Sequence, residues 1–227
     1  IKQEVIAKSA FWVTKKRYGQ WIINDGGLEC EKLDVKGLDI VRSSFPPAFQ
    51  KFMTNVLKAI LHNYEKDKID QFILKFKGSL GKHNIDDIAL PSGVKGMNKY
   101  KGTKGTGGMF KNKKGGVFIP PKSGTPAHVK ASLAYNDLLS YYKSNHLEPI
   151  RNASKIKWVY LKNNPFQLDA LAYKGYDDPK ELMDFIKQYI DRDKLYNRAL
   201  NKKIQMFYDA LSWDMPVDKQ NTIERFF

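Results

Sequence analysis

The side chains in this chain that can do chemistry are carboxylate pairs, scattered histidines and a large excess of cations. Asp86-Asp87, Asp177-Asp178 and Asp191 with Asp193 have the spacing of carboxylates that share a magnesium ion in phosphoryl transfer. Two of the pairs also have a plainer reading. Asp178 stands before a proline at a helix start, and Asp191 and Asp193 alternate with Arg192 and Lys194 as exposed helical charges do. The four histidines, His62, His83, His128 and His146, lie far apart without Cys or carboxylate at ligand spacing. No zinc site is predicted. The glycines of "GTKGTGGMFKNKKGG" lack both the P-loop spacing and its Lys-Ser/Thr ending, so a nucleotide cradle is not predicted either.

The cations carry the stronger signal. Lys+Arg number 39 against 24 Asp+Glu, a formal charge of +15, which points to a polyanionic partner, nucleic acid ahead of an anionic membrane surface. From Gly93 to Lys130 there are nine lysines and no acidic residue. A solvated surface normally mixes signs, so this stretch reads as an electrostatic footprint for phosphates. A disordered basic linker has the same composition, and a lysine segment of that kind can order on DNA. A second cluster, Lys15-Lys16-Arg17-Tyr18, interrupts two apolar runs where a buried strand pair is expected. The last eight residues, "QNTIERFF", place Gln220, Ile223, Phe226 and Phe227 in a Q-x-x-I-x-x-F-F spacing. One helical turn brings the three apolar side chains to one side beside a glutamine, a plug that is costly to expose unless a partner covers it. A tail folded back on its own domain is the other reading.

Elements that would position these groups can be read from periodicity. "VIAKSAFWV" and "YGQWIIN" are rich in β-branched and aromatic residues, and Asp25-Gly26-Gly27 suits a tight turn before "LECEKLDV", so residues 1–42 predict a small antiparallel sheet. Ser43-Ser44 offer N-cap hydroxyls, and Pro46-Pro47 suit a first helical turn. Phe49, Phe52, Met53, Val56, Leu57, Ile60 and Leu61 then recur at helical spacing, and Ile69, Phe72, Ile73, Phe76 and Leu80 repeat the pattern to Gly81, predicting a helical hairpin. Residues 91–126 read as loop. A helix after Thr125-Pro126 carries Val129, Leu133, Leu138 and Leu139. A strand over 156–162 turns at "NNPF". Asp178-Pro179 opens a helix with Leu182, Met183, Phe185, Ile186, Tyr189 and Ile190, and a last helical run covers about 194–211. The single cysteine, Cys30, cannot form an intrachain disulfide, and no run approaches the ~20 apolar residues of a bilayer span. A cytoplasmic protein without membrane contact is expected. The chain opens with "IKQEV" and has no signal-peptide h-region, so it reads as a fragment or a chain whose start is missing.

Segment by segment, the chain resembles the C-terminal part of a family B replicative DNA polymerase, closest to those of large T-even-like phages. "AKSAFWVTKKRYG" is similar to the family's K-x-Y segment near the end of the palm. "VKGLDIVRSSFPP" resembles the segment that closes the palm and starts the thumb. "LPSGVKGMNKY" and "KSGTPAHVKASLAYN" resemble thumb segments that track the duplex backbone, "IKWVYLKNNPF" a thumb strand and turn, and the C-terminus the family's clamp-binding peptide. The resemblance implies an α+β chain: the end of the palm at 1–42, a mostly helical thumb with a few short strands at 43–213 including a basic Gly/Lys-rich loop at about 93–125, and a tail at 214–227. It implies duplex contacts from Lys15, Lys16, Arg17 and Tyr18 and from Ser92, Lys95, Lys99, Tyr100, Lys122, His128 and Lys130. Clamp contacts would come from Gln220, Ile223, Phe226 and Phe227. The insertion between Tyr100 and Pro120 departs from the phage pattern and blurs the register of Lys104 to Lys114.

The family's catalytic aspartate motifs, D-x-x-S-L-Y-P and D-T-D, do not occur here, so no catalytic residue or metal ligand is assigned to this chain. Mg2+ is expected on the palm segments that would precede residue 1, together with fingers and exonuclease. The implied partners are primer-template DNA, that N-terminal polymerase part and a sliding clamp. The alternative is a stand-alone accessory protein that binds DNA and a clamp without polymerase function.

Overall fold

In the computed structural model, residues 4–100, 110–111, 117–118, 122–144 and 146–217 are described. They are mixed α and β, with antiparallel sheets, and fall into two compact units. One holds the described residues up to His83 and those from Tyr196 onward; the other is Asn84–Leu195. The palm–thumb division expected at 42/43 lies within the first unit.

The first unit begins with β1 (Val5–Thr14), β2 (Arg17–Asp25) and β3 (Leu28–Lys36), antiparallel in the order β1-β2-β3. The β2–β3 turn forms because Gly26 and Gly27 take φ of 61° and 95°, which the strand twist favours at a two-residue connection. The Asn24 side chain caps it, accepting the Gly27 N–H at 2.9 Å. α1 (Pro47–Leu61) buries the seven apolar residues that the periodicity picks out, from Phe49 to Leu61. It reaches the sheet where a strand residue lacks a side chain: a Cβ on Gly19 would lie 2.7 Å from Leu57 Cδ2. α2 (Lys66–Ser79) packs back on α1 through rings, Phe52 lying 4.0 Å from Phe76 and 5.1 Å from Phe72 between centroids. The cap differs from expectation. Neither Ser43 nor Ser44 caps α1; Pro46 is its N-cap residue and Pro47 its first helical residue, so fixed proline φ rather than a hydroxyl starts the helix.

The last helical run is not uniform. A π-helical stretch, Tyr196–Asn201, precedes α8 (Lys202–Ala210), whose Phe207 meets Phe11 of β1 edge-on at 5.3 Å. The Tyr208 hydroxyl donates to Asp70 Oδ1, and Lys66 Nζ lies 2.6 Å from Asp70 Oδ2, so one carboxylate ties α8 to α2. Two substitutions should separate the terms. Tyr208→Phe removes donor and bond together and should cost about 1 kcal/mol, whereas Asp70→Ala orphans a hydroxyl of a fully buried tyrosine and should cost about 2 kcal/mol, read by urea unfolding. Equal costs would show that the bond does not hold the helix. Burial, then the Asp70 bond, raises the Tyr208 pKa; burial likewise raises Tyr173, and pushes Tyr196 up to about 12. A raised folded-state pKa means stability that is complete below the ordinary tyrosine value of 10 and lost as pH climbs past it. Tyr208→Phe should therefore flatten the alkaline limb.

The second unit holds α3 (Ile85–Ile88), β4 (Leu90–Gly93), α4 (Met97–Tyr100), the short pair β5 (Phe110–Lys111) and β6 (Val117–Phe118), α5 (Ala127–Tyr141), β7 (Lys155–Tyr160), β8 (Ala170–Tyr173), α6 (Lys180–Tyr189) and α7 (Arg192–Leu195). Its sheet runs β4-β7-β8, antiparallel, with α5 packed on β7 and β8. β4 and α4 lie in the region expected to be loop. Leu90–Gly93 is a strand because β7 supplies its ladder, with Leu90 opposite Trp158 and Gly93 opposite Lys155. In the "NNPF" turn Asn164 donates to the Lys162 and Leu168 carbonyls and accepts from the Phe166 and Leu168 N–H groups. Asp178 does not cap α6. Its oxygens accept from Lys174 N–H at 3.0 Å and Gly175 N–H at 2.7 Å, and Pro179 is the N-cap residue.

Candidate nucleic-acid interface

Lys15 and Lys16 form the two-residue connection of the β1–β2 hairpin, with Thr14 opposite Arg17. Neither lysine has positive φ, so the turn is not of the primed type that matches strand twist, and a register shift between Trp12 and Thr14 accommodates it. Gly37 holds it from outside. At φ of 68°, its α-carbon passes so near the turn that a Cβ would lie 2.1 Å from the Lys16 carbonyl oxygen. Lys15, Lys16 and Arg17 are exposed, and no acidic side chain pairs with them among the described residues; Arg17 Nη1 lies 3.5 Å from Met206 Sδ of α8. Tyr18 is half-buried opposite Trp12 and Lys36, away from the face where Gly19 meets α1. Trp12, 54% exposed and 6.1 Å from the Tyr18 ring, joins this surface. Sequence reading did not single out Trp12. The signal available was alternation: Phe11 is the buried neighbour, so Trp12 faces the other way.

In the second unit, Ser92 of β4 accepts a hydrogen bond from Trp158 Nε1 at 3.0 Å. With that acceptor site used, its hydroxyl proton remains to be donated, which suits a phosphate oxygen. Lys95, Lys99 and Lys122 are exposed without acidic partners among the described residues; Lys99 Nζ lies 5.5 Å from the Tyr100 ring centroid. The Lys122 N–H donates to the Tyr100 carbonyl at 3.1 Å, which joins two expected contact segments across the intervening stretch. His128, on α5, is half-buried, and desolvation holds its imidazole below the usual histidine range. At neutral pH it offers a hydrogen bond and not a charge. Lys130 Nζ lies 3.7 Å from Asp169 Oδ2, a rim pair that a phosphate must displace. The structure adds two cations that sequence did not single out. The register sets Lys155 opposite Gly93, and Val94 exchanges backbone hydrogen bonds with Ala153 and Ser154, which brings Lys155 and Arg151 to the Lys95 end of the sheet. Only a strand pairing more than 60 positions apart reveals them.

The remaining candidates resolve as follows. Gln220, Ile223, Phe226 and Phe227 lie outside the described residues, as does most of the insertion after Tyr100. One carboxylate of each pair has a local partner: besides Asp178, Asp86 pairs with Lys157 at 2.7 Å and accepts from the Tyr173 hydroxyl at 3.0 Å, and the Lys157 bond lowers its pKa. Asp191 accepts the Lys194 N–H at 2.8 Å at the start of α7. Among the described residues no three His, Cys, Asp or Glu side chains form a group that could hold a metal ion. No described helix is long and apolar enough to cross a membrane.

No protein-family model matches the chain. It is similar to the human protein SSX8, 29% identical over 101 residues that cover 42% of this chain and 53% of the human one. The chain thus spans about half the length of that relative.

Proposed function

We propose that this chain is the C-terminal part of a family B DNA-directed DNA polymerase, the end of the palm with the thumb, which grips primer-template duplex and tethers it to a sliding clamp. The observation that carries this reading is the cationic cluster at the hairpin turn, Lys15, Lys16 and Arg17, exposed, free of acidic partners among the described residues, braced by Gly37 and followed by half-buried Tyr18. A polymerase must hold its product whatever the sequence. The minor-groove acceptors, purine N3 and pyrimidine O2, are nearly alike for every correct pair. A lysine and a tyrosine hydroxyl at the primer terminus can read both, and a mispair moves the acceptors out of reach. Lys16 and Tyr18 take that role, with Lys15 or Arg17 on phosphates. Ser92, Lys95, Lys99, Tyr100, Lys122 and Lys130 supply backbone contacts from the second unit, and neutral His128 a hydrogen bond.

The aspartates and Mg2+ for nucleotidyl transfer belong, in this reading, to an N-terminal polymerase part, and this chain's share is binding and positioning. In the complete polymerase, Lys16→Ala and Tyr18→Phe should slow extension of matched termini more than of mismatched ones; equal slowing of both would remove the pair-checking role. Phe226 and Phe227 would seat in the clamp, making rebinding of the primer intramolecular. Phe226→Ala with Phe227→Ala should abolish clamp-stimulated synthesis while leaving distributive synthesis on short primers. Equal loss of both would refute that assignment.

A further inference from the structure

We propose that a cleft between α4, α5 and the 150–152 turn holds one unstacked nucleotide of single-stranded DNA, its base against Met97 and Ile150 and its phosphate on Arg151. The cleft encloses about 400 Å3, within the ~300–1,000 Å3 of small-molecule sites. Its floor is apolar: Met97 and Ile150 are 6% and 2% exposed, and Leu133 lines one side. The polar rim is only partly used. Asn136 is spent on the Ile150 backbone, accepting its N–H and donating to its carbonyl. Asn152 Oδ1 accepts the Met97 N–H at 2.9 Å, which leaves its amide NH2 to donate. The Asn98 amide and the Arg151 guanidinium have no partner among the described residues.

An amide that both donates and accepts is the group that pairs with base edges, apolar walls accept a flat base, and a guanidinium matches a phosphate. Asp137 also lines the cleft. The exposed cations Lys95, Lys99 and Lys155 on the neighbouring backbone select an anionic ligand over a neutral one. The turn itself is strained in a way that serves the rim. Ala153 sits at φ of 70°, held there by its N–H to the Val94 carbonyl at 2.8 Å and by Ser154, whose N–H donates to the Arg151 carbonyl and whose Oγ accepts the Arg151 N–H.

The proposal takes its source of nucleotide from the DNA-holding reading, so the test separates the two. The full chain, labelled with 13C-methyl methionine, is titrated with dCMP and with ribose 5-phosphate, the Met97 signal being assigned with Met97→Leu. The Met97 methyl should move with dCMP and stay with ribose 5-phosphate, and Asn98→Ala and Arg151→Ala should each weaken dCMP at least about fivefold, the loss of one charge-assisted or paired polar contact. In parallel, Asn98→Ala should weaken a dC12 oligonucleotide about fivefold and a 12-base-pair duplex less than twofold. No Met97 shift, an equal shift with the base-free sugar phosphate, or equal loss on both polymers overturns the cleft. A dCMP shift with no duplex binding by the parent chain would retain the cleft and end the duplex-holding reading instead.

Discussion

Gly37→Ala should lower the melting temperature well below that of Gly26→Ala and, unlike it, should release the chain from duplex DNA. Both glycines have φ in the left-handed region, 68° and 61°, so both substitutions carry the same backbone cost of about 1–2 kcal/mol. They differ in what the new methyl meets. At Gly26 there is nothing within 4 Å, whereas at Gly37 the Lys16 carbonyl oxygen lies 2.1 Å away and its carbon 3.2 Å away. These are backbone atoms, so no rotamer relieves the overlap and the Lys15–Lys16 turn must shift. At roughly 2–4 °C per kcal/mol for a chain of this size, Gly26→Ala should cost a few degrees and Gly37→Ala clearly more. The DNA readout matters most. If Gly37→Ala binds duplex as the parent does, the turn is not a mount for Lys16 and Tyr18.

The second large effect concerns salt. If about six cations neutralise phosphates, log affinity should fall against log salt with a slope near −5, close to 10^3 in affinity between 50 and 200 mM. In the proposed reading the candidates are Lys15, Lys16 and Arg17 on one unit and Lys95, Lys99, Lys122 and Lys130 on the other. Lys95→Ala, Lys99→Ala and Lys122→Ala should each reduce the slope by about 1, because each releases one counterion fewer. Lys130→Ala should reduce it by less, since Asp169 already lies against that ammonium. His128→Gln should leave it unchanged at neutral pH, because burial keeps the imidazole uncharged. A parent slope shallower than about −2 would show that phosphates are not the main partner.

Much of the first unit was legible because its signals are local. Asp25-Gly26-Gly27 makes a turn through its own backbone freedom, and the α1 stripe from Phe49 to Leu61 is visible at helical spacing whatever it packs against. The caps were less legible. Ser43, Ser44 and Asp178 have cap chemistry, yet prolines start both helices, and Asp178 serves the loop before it. The long-range side-chain hydrogen bonds were not legible at all. Asp70 is an unremarked helix carboxylate until Tyr208 arrives from a position 138 residues on.

The sequence by itself determined the mixed α and β character, the first sheet and its turns, the helical stripes and the location of the cationic segments, because propensity, period and charge act over a few residues. Tertiary structure alone decided that Leu90–Gly93 is a strand, that Arg151 and Lys155 stand beside Lys95, that Ser92 is left with a proton to donate, and that Gly37 braces the Lys15–Lys16 turn. Each of these depends on which distant backbone supplies a hydrogen bond or occupies a space, and no local pattern encodes that.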